Sequence, residues 1–205
     1  MIVLMLTPLW AIAQDSSFSG ISSKRKFTGL SVGVNAEMSS TTLKLEALGI
    51  KIDGVGRQSF TTSVQADYGV TLGQNGVLLI GVKRYLADQD LLTISAQNIN
   101  GKITKTDHTS IYIAPGYLIN EKTLAFFKAS YERFYLNSSP TNNLINVNDK
   151  LAQGIGLGVG VRTEIINKTL LNIEISKIYY TNDFSLLNVT TGTTSGSIGL
   201  MQNFD

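Results

Sequence analysis

An eight-stranded antiparallel up-and-down transmembrane β-barrel is the fold class that this sequence predicts, on three observations. Segments that alternate apolar and polar residues recur along the whole chain. The connections between them are alternately long and short. After the N-terminal segment, no apolar run reaches the roughly eighteen residues that a transmembrane helix needs. The clearest alternation is Gly154-Ile155-Gly156-Leu157-Gly158-Val159-Gly160-Val161-Arg162-Thr163-Glu164-Ile165. Successive side chains of a strand point to opposite faces. One face here carries Ile155, Leu157, Val159, Val161 and Ile165, and the other carries four glycines, Arg162 and Glu164. A tilted strand of about ten residues spans a bilayer's hydrocarbon core.

The elements follow in order. Residues 1–13 read as a signal peptide, an apolar core ending in Ala11-Ile12-Ala13, with cleavage expected after Ala13 to leave Gln14. Residues 14–26 form a periplasmic linker, and 27–205 form the barrel. Strands are expected at 27–38, 59–72, 77–86, 109–118, 124–135, 154–165, 169–180 and 196–204. Four connections are long and polar, at 39–58, 87–108, 136–150 and 181–195. Three are short: Gly73-Gln74-Asn75-Gly76, whose Asn-Gly pair favours hairpins, Ile119-Asn120-Glu121-Lys122, and Ile166-Asn167-Lys168. Alternate connections of an up-and-down barrel lie at opposite ends, and outer-membrane barrels keep short periplasmic turns and long external loops.

Composition narrows the class. Only 16% of residues are charged, glycine is abundant at 19, and cysteine is absent, so disulfides contribute nothing. The net charge of +2 argues neither for nor against nucleic acid. The one basic cluster, Lys24-Arg25-Lys26, reads as solvated linker, so no nucleic-acid partner is expected. With one histidine and no cysteine, no metal or cofactor site is expected. The glycine run lacks the Lys-Ser/Thr and helix of a phosphate loop.

With its signal segment, its alternating connections, Pro115-Gly116-Tyr117, the glycine strand and the near-terminal Phe204, the chain resembles small outer-membrane barrels of the OmpA-barrel, OmpX and opacity-protein type. The resemblance implies export by the general secretory pathway to the outer membrane of a Gram-negative bacterium. It implies membrane lipid and lipopolysaccharide as surroundings and makes Phe204 the signal read by the barrel-assembly machinery, although Asp205 follows it. It also implies a non-enzymatic surface protein, serving envelope integrity, adhesion or host interaction through its external loops. A narrow, low-conductance channel is the alternative, and a lipid A-modifying hydrolase is the third reading.

The face assignment supplies the candidate residues. Glu37, Asp67, Lys83, Lys128, Glu132, Arg162, Glu164 and Glu174 point inward. An eight-stranded interior is only wide enough for side chains, so these charges are expected to pair into a plug. Tyr68, Tyr117, Tyr131, Tyr179 and Phe204 fall near strand ends, where interfacial aromatics belong. Arg84, Arg133 and Lys177 point outward near the external ends, placed for lipopolysaccharide phosphates or ordinary headgroups. His108-Thr109-Ser110 is similar to the His-x-Ser pair of barrel lipid A deacylases. No acidic residue stands at a clear supporting position for it, and a loop-edge histidine is the plainer reading.

Overall fold

A computed structural model describes residues 25–47, 50–96, 99–140, 150–184 and 187–204. The expected signal segment lies outside the described residues. Nine strand segments form one antiparallel sheet: β1 (Gly29–Ala47), β2 (Ile50–Leu72), β3 (Gly76–Tyr85), β4 (Gln89–Ala96), β5 (Ile99–Asn120), β6 (Thr123–Pro140), β7 (Lys150–Ile166), β8 (Thr169–Phe184) and β9 (Leu187–Asn203). Consecutive strands pair with one another except β3 and β4, and β9 returns to pair with β1. β3 and β4 both pair with β5, on 109–117 and 99–105 respectively, so together they fill one position. The sheet is therefore a closed eight-stranded barrel.

Register explains closure. On β7, Val159 pairs with Phe127 on one side and Ile175 on the other, and all three face outward. A one-residue slip would turn every such side chain inward, so the pattern fixes the pairing. The outward surface is apolar over a belt, as shown by Val34, Ile80, Ile113, Val159, Ile175 and Ile198. Tyr68, Tyr117, Tyr131 and Tyr179 are exposed on it. On β1 the outward residues run Leu30, Val32, Val34 and Met38, then change to Ser40 and Thr42. That apolar stretch has the length of about 9–11 residues that a tilted membrane strand needs.

Two expectations are corrected. Phe27 does not begin the first strand. It sits in a 3-10 turn, Arg25–Phe27, with its side chain fully buried at the turn end of the barrel. Asn203 holds this entry, its Nδ2 donating to the Thr28 carbonyl at 2.7 Å and to Ser31 Oγ at 3.1 Å. Three of the long connections, 39–58, 87–108 and 181–195, are also largely strand rather than loop. Residues 39–47 pair with 50–59, 99–105 pair with 89–96, and 181–184 pair with 187–190. The physical reason is that β structure beyond the apolar belt needs no apolar face. Its ladders form without the alternation that marks a strand in sequence.

Candidate functional site

The interior is the chemically loaded part of the molecule. β6 shows its layers in one strand. From the turn end its inward residues run Leu124, Phe126, Lys128, Ser130, Glu132, Phe134 and Leu136, all buried. An apolar layer, an ionic layer and a second apolar layer therefore follow one another. The first apolar layer packs Phe27, Val77, Leu79, Leu118, Leu124, Phe126, Leu170 and Met201. The second packs Phe134, Leu136, Ala152, Ile178 and Tyr180.

Between them, charges pair across the lumen. Arg162, the largest fully buried side chain, donates to both oxygens of Asp67, at 2.9 and 2.7 Å. Asp67 also accepts from Tyr112 Oη at 2.7 Å and Gln65 Nε2 at 3.1 Å. This fork-on-carboxylate geometry is the strong form of a charge-assisted hydrogen bond. Lys128 donates to both oxygens of Glu174, at 2.9 and 3.1 Å. Lys83 lies 3.4 Å from Glu37 and 3.9 Å from Glu174, and Tyr85 Oη donates to Glu37 at 3.1 Å. Glu132 accepts from Ser110 Oγ at 2.7 Å and Ser130 Oγ at 2.8 Å, and its other oxygen meets His108 Nε2 at 2.8 Å. Among the described residues, the buried cations Lys83, Lys105, Lys128 and Arg162 face the buried carboxylates Glu37, Asp67, Glu132 and Glu174 in equal number.

Glu164 stands apart from this set. It lies at the turn end, where it accepts from Lys26 at 2.6 Å and from the Lys168 backbone N–H at 3.2 Å. The Lys26 hydrogen bond is the main reason that its carboxyl is held below the ordinary range. Lys26 is thus not free linker, because it ties the entering chain to the barrel rim.

His108 is the largest correction at residue level. It is buried in the lumen and not at a loop edge. Its ring stacks on Tyr85 at 3.8 Å and meets the edge of Phe134. An acidic residue does support it, since Glu132 bridges His108 and Ser110. Both groups bond to that carboxylate and not to each other, so the histidine is not placed as the serine's base. A bulge between Thr106 and Thr109 sets this placement, with Asp107 at φ 51°. The bulge reverses the inward parity, so that Lys105 and His108 both point inside.

Sequence reading missed Lys105, Tyr85, Phe134 and Tyr180. Lys105 is buried, donates to Tyr180 Oη at 3.1 Å, and lies 4.5 Å from the Phe134 ring centre. Parity continued from Lys83, Glu132 and Ser176 would have found the three aromatics. The bulge hid the lysine.

The outward cations differ from one another. Arg84 pairs with Asp107 at 2.6 Å, Lys177 lies 5.2 Å from the Tyr179 ring centre, and Arg133 is exposed opposite Thr109. Phe204 is exposed beyond the end of β9, its N–H donating to the Leu30 carbonyl at 2.8 Å.

The glycine face of β7 makes room for neighbours. A Cβ at Gly160 would strike the Phe126 ring, and one at Gly154 the Tyr180 ring. At Gly158 it would meet Ser176 Cβ at 2.9 Å.

No family model matches the chain, and no curated protein matches it in sequence. Solved structures do match in fold. The outer membrane protein AlkL, determined in lipid bilayers, aligns with a TM-score of 0.51 and 14% identity, covering 94% of each chain. The outer membrane protein OprG from Pseudomonas aeruginosa aligns with a TM-score of 0.50 and 7% identity, covering 88% of this chain and 98% of its own. Closed barrel, apolar exterior and paired polar interior agree with these likenesses: the chain has the fold of the small eight-stranded outer-membrane β-barrels.

Proposed function

We propose that this protein resides in the bacterial outer membrane and acts there as a non-enzymatic surface protein. Its extended hairpins, on the end opposite the short turns, would present the working surface for adhesion or envelope contact. The observation that carries this reading is the filled lumen. Side chains occupy it in apolar, ionic and apolar layers, so the barrel serves as an anchor and not as a conduit. The fold shared with AlkL and OprG, both outer membrane proteins, supports the location. The channel reading is disfavoured because permeation would require breaking ion pairs held between two dry layers. The hydrolase reading is disfavoured by the Glu132 bridge, which engages both Ser110 and His108.

An epitope inserted between Asn142 and Asn143, within the β6–β7 connection, tests the reading. The epitope is expected to be stained by antibody on intact cells, and the purified barrel is expected to add no ion conductance to a planar bilayer. Staining only after permeabilisation, or steady single-channel currents, would contradict it.

A further inference from the structure

The apolar wall of the barrel ends along one register row. Arg84 of β3 pairs with Thr109 of β5, Thr109 with Arg133 of β6, and Arg133 with Gln153 of β7. Outward side chains recur every second residue along a strand. The outward positions directly below these four are Val82, Ile111, Tyr131 and Ile155, and all four are exposed. On each of these adjacent strands the wall therefore changes from apolar or aromatic to polar at the same step. Such a step is where hydrocarbon gives way to headgroups, and an aromatic such as Tyr131 belongs at that boundary.

The row carries charge as well as polarity. Arg84 and Arg133 stand two strand spacings apart, about 9–10 Å between backbones, with Thr109 between them. Arg84 is partly engaged, donating to Asp107 at 2.6 Å and to Thr109 Oγ1 at 3.4 Å. Arg133 is exposed, and among the described residues it makes no hydrogen bond or ion pair. Two guanidiniums against one carboxylate leave one positive charge beside lipid. Lys177 does not belong to the row. It pairs with Leu157 and Thr194, one outward step below Tyr179, and lies against that ring.

A guanidinium fork matches the oxygens of a phosphate, and a hydroxyl beside it supplies a further donor. An exposed arginine has little hold on an anion that arrives from water. A lipid is different, because its acyl chains lie on the apolar wall and keep its phosphate at the depth of the row. We propose that Arg84, Thr109 and Arg133 form a headgroup site for one phosphate of an anionic membrane lipid, whose chains run down the wall over Ile111 and Tyr131. The site goes beyond the surface role, and its failure would leave that role standing.

The test titrates short-chain phosphatidic acid into the full chain in phosphatidylcholine bicelles and follows the Nε–H resonances of Arg84 and Arg133 by NMR. Both are expected to shift and to saturate together. Arg133→Gln alters an exposed outward side chain and should keep the heat-modifiable gel mobility of a closed barrel. Read at Arg84, it should weaken binding about fivefold, the share of one arginine at an anionic membrane surface. Lys177→Gln should titrate like the parent, and inorganic phosphate at the same concentration should shift neither resonance. The proposal is overturned if the parent shows no saturable shift, or if Arg133→Gln titrates unchanged. An equal loss in Lys177→Gln would show diffuse charge in place of a site, and an equal response to inorganic phosphate would show a water-borne anion; either result overturns it as well.

Discussion

At the scale of single residues, Arg162 is the decisive side chain. Its guanidinium is buried and its partner Asp67 has no access to water. Removing one member of such a pair leaves the other charge uncompensated, at a cost of about 3–5 kcal/mol. Arg162→Ala is thus expected to lower the unfolding midpoint of the barrel in detergent well below that of the parent, as read by heat-modifiable mobility. An unchanged midpoint would mean that the Arg162–Asp67 pair does not hold the lumen together. Glu164 makes the opposite case, a pair near water. Its carboxyl is held low chiefly by Lys26. A depressed carboxylate adds stability above its unfolded pKa, and that stability is lost as pH falls through the folded pKa. Partial exposure limits the gain to about 0–1 kcal/mol. The advantage of the parent over Glu164→Gln should therefore be present at neutral pH and fade below the ordinary carboxylate value of 4.5. A constant difference across that window would assign the effect to packing and not to charge. Parity reading brought out Glu37, Asp67, Lys83, Lys128, Glu132, Arg162 and Glu174 because each lies on a regular strand. It could not reach Lys105, since the bulge beside Asp107 leaves no mark in the residue pattern.

At the scale of elements, β7 and its neighbours show what the glycine face does. Gly160 admits the Phe126 ring and Gly154 the Tyr180 ring, so the glycines trade their own side chains for aromatic ones from adjacent strands. Gly160→Leu is expected to overfill the lower apolar layer, at a cost of about 1–3 kcal/mol. The measurement is the urea midpoint of folding into lipid vesicles, and a midpoint equal to the parent's would show that this part of the lumen has spare volume. Element positions were legible in sequence because the apolar belt enforces alternation on every strand that crosses it. Element lengths were not. Past Met38 and Phe60 the outward positions turn polar and the buried inward ones, Ser39 and Thr41, are polar as well, so the periodic signal ends while the ladder runs on. Thr-rich and Ser-rich stretches at 39–47 and 187–195 read as loops for that reason alone.

At the scale of the whole molecule, every feature follows from which face meets lipid. If the alternating apolar set faces acyl chains, the charges must be inside, must pair, and must be sealed from water at both ends. If the faces were reversed, the same alternation would describe a soluble barrel with an aliphatic core. A single cysteine decides between them. Val159 is exposed at the middle of β7, flanked by Phe127 and Ile175. Val159→Cys, in a chain with no other cysteine, should be modified by a lipid-soluble maleimide and resist a charged, water-soluble one in reconstituted vesicles. Ready modification by the water-soluble reagent in the folded protein would contradict the account, because it would put the apolar face outside the bilayer.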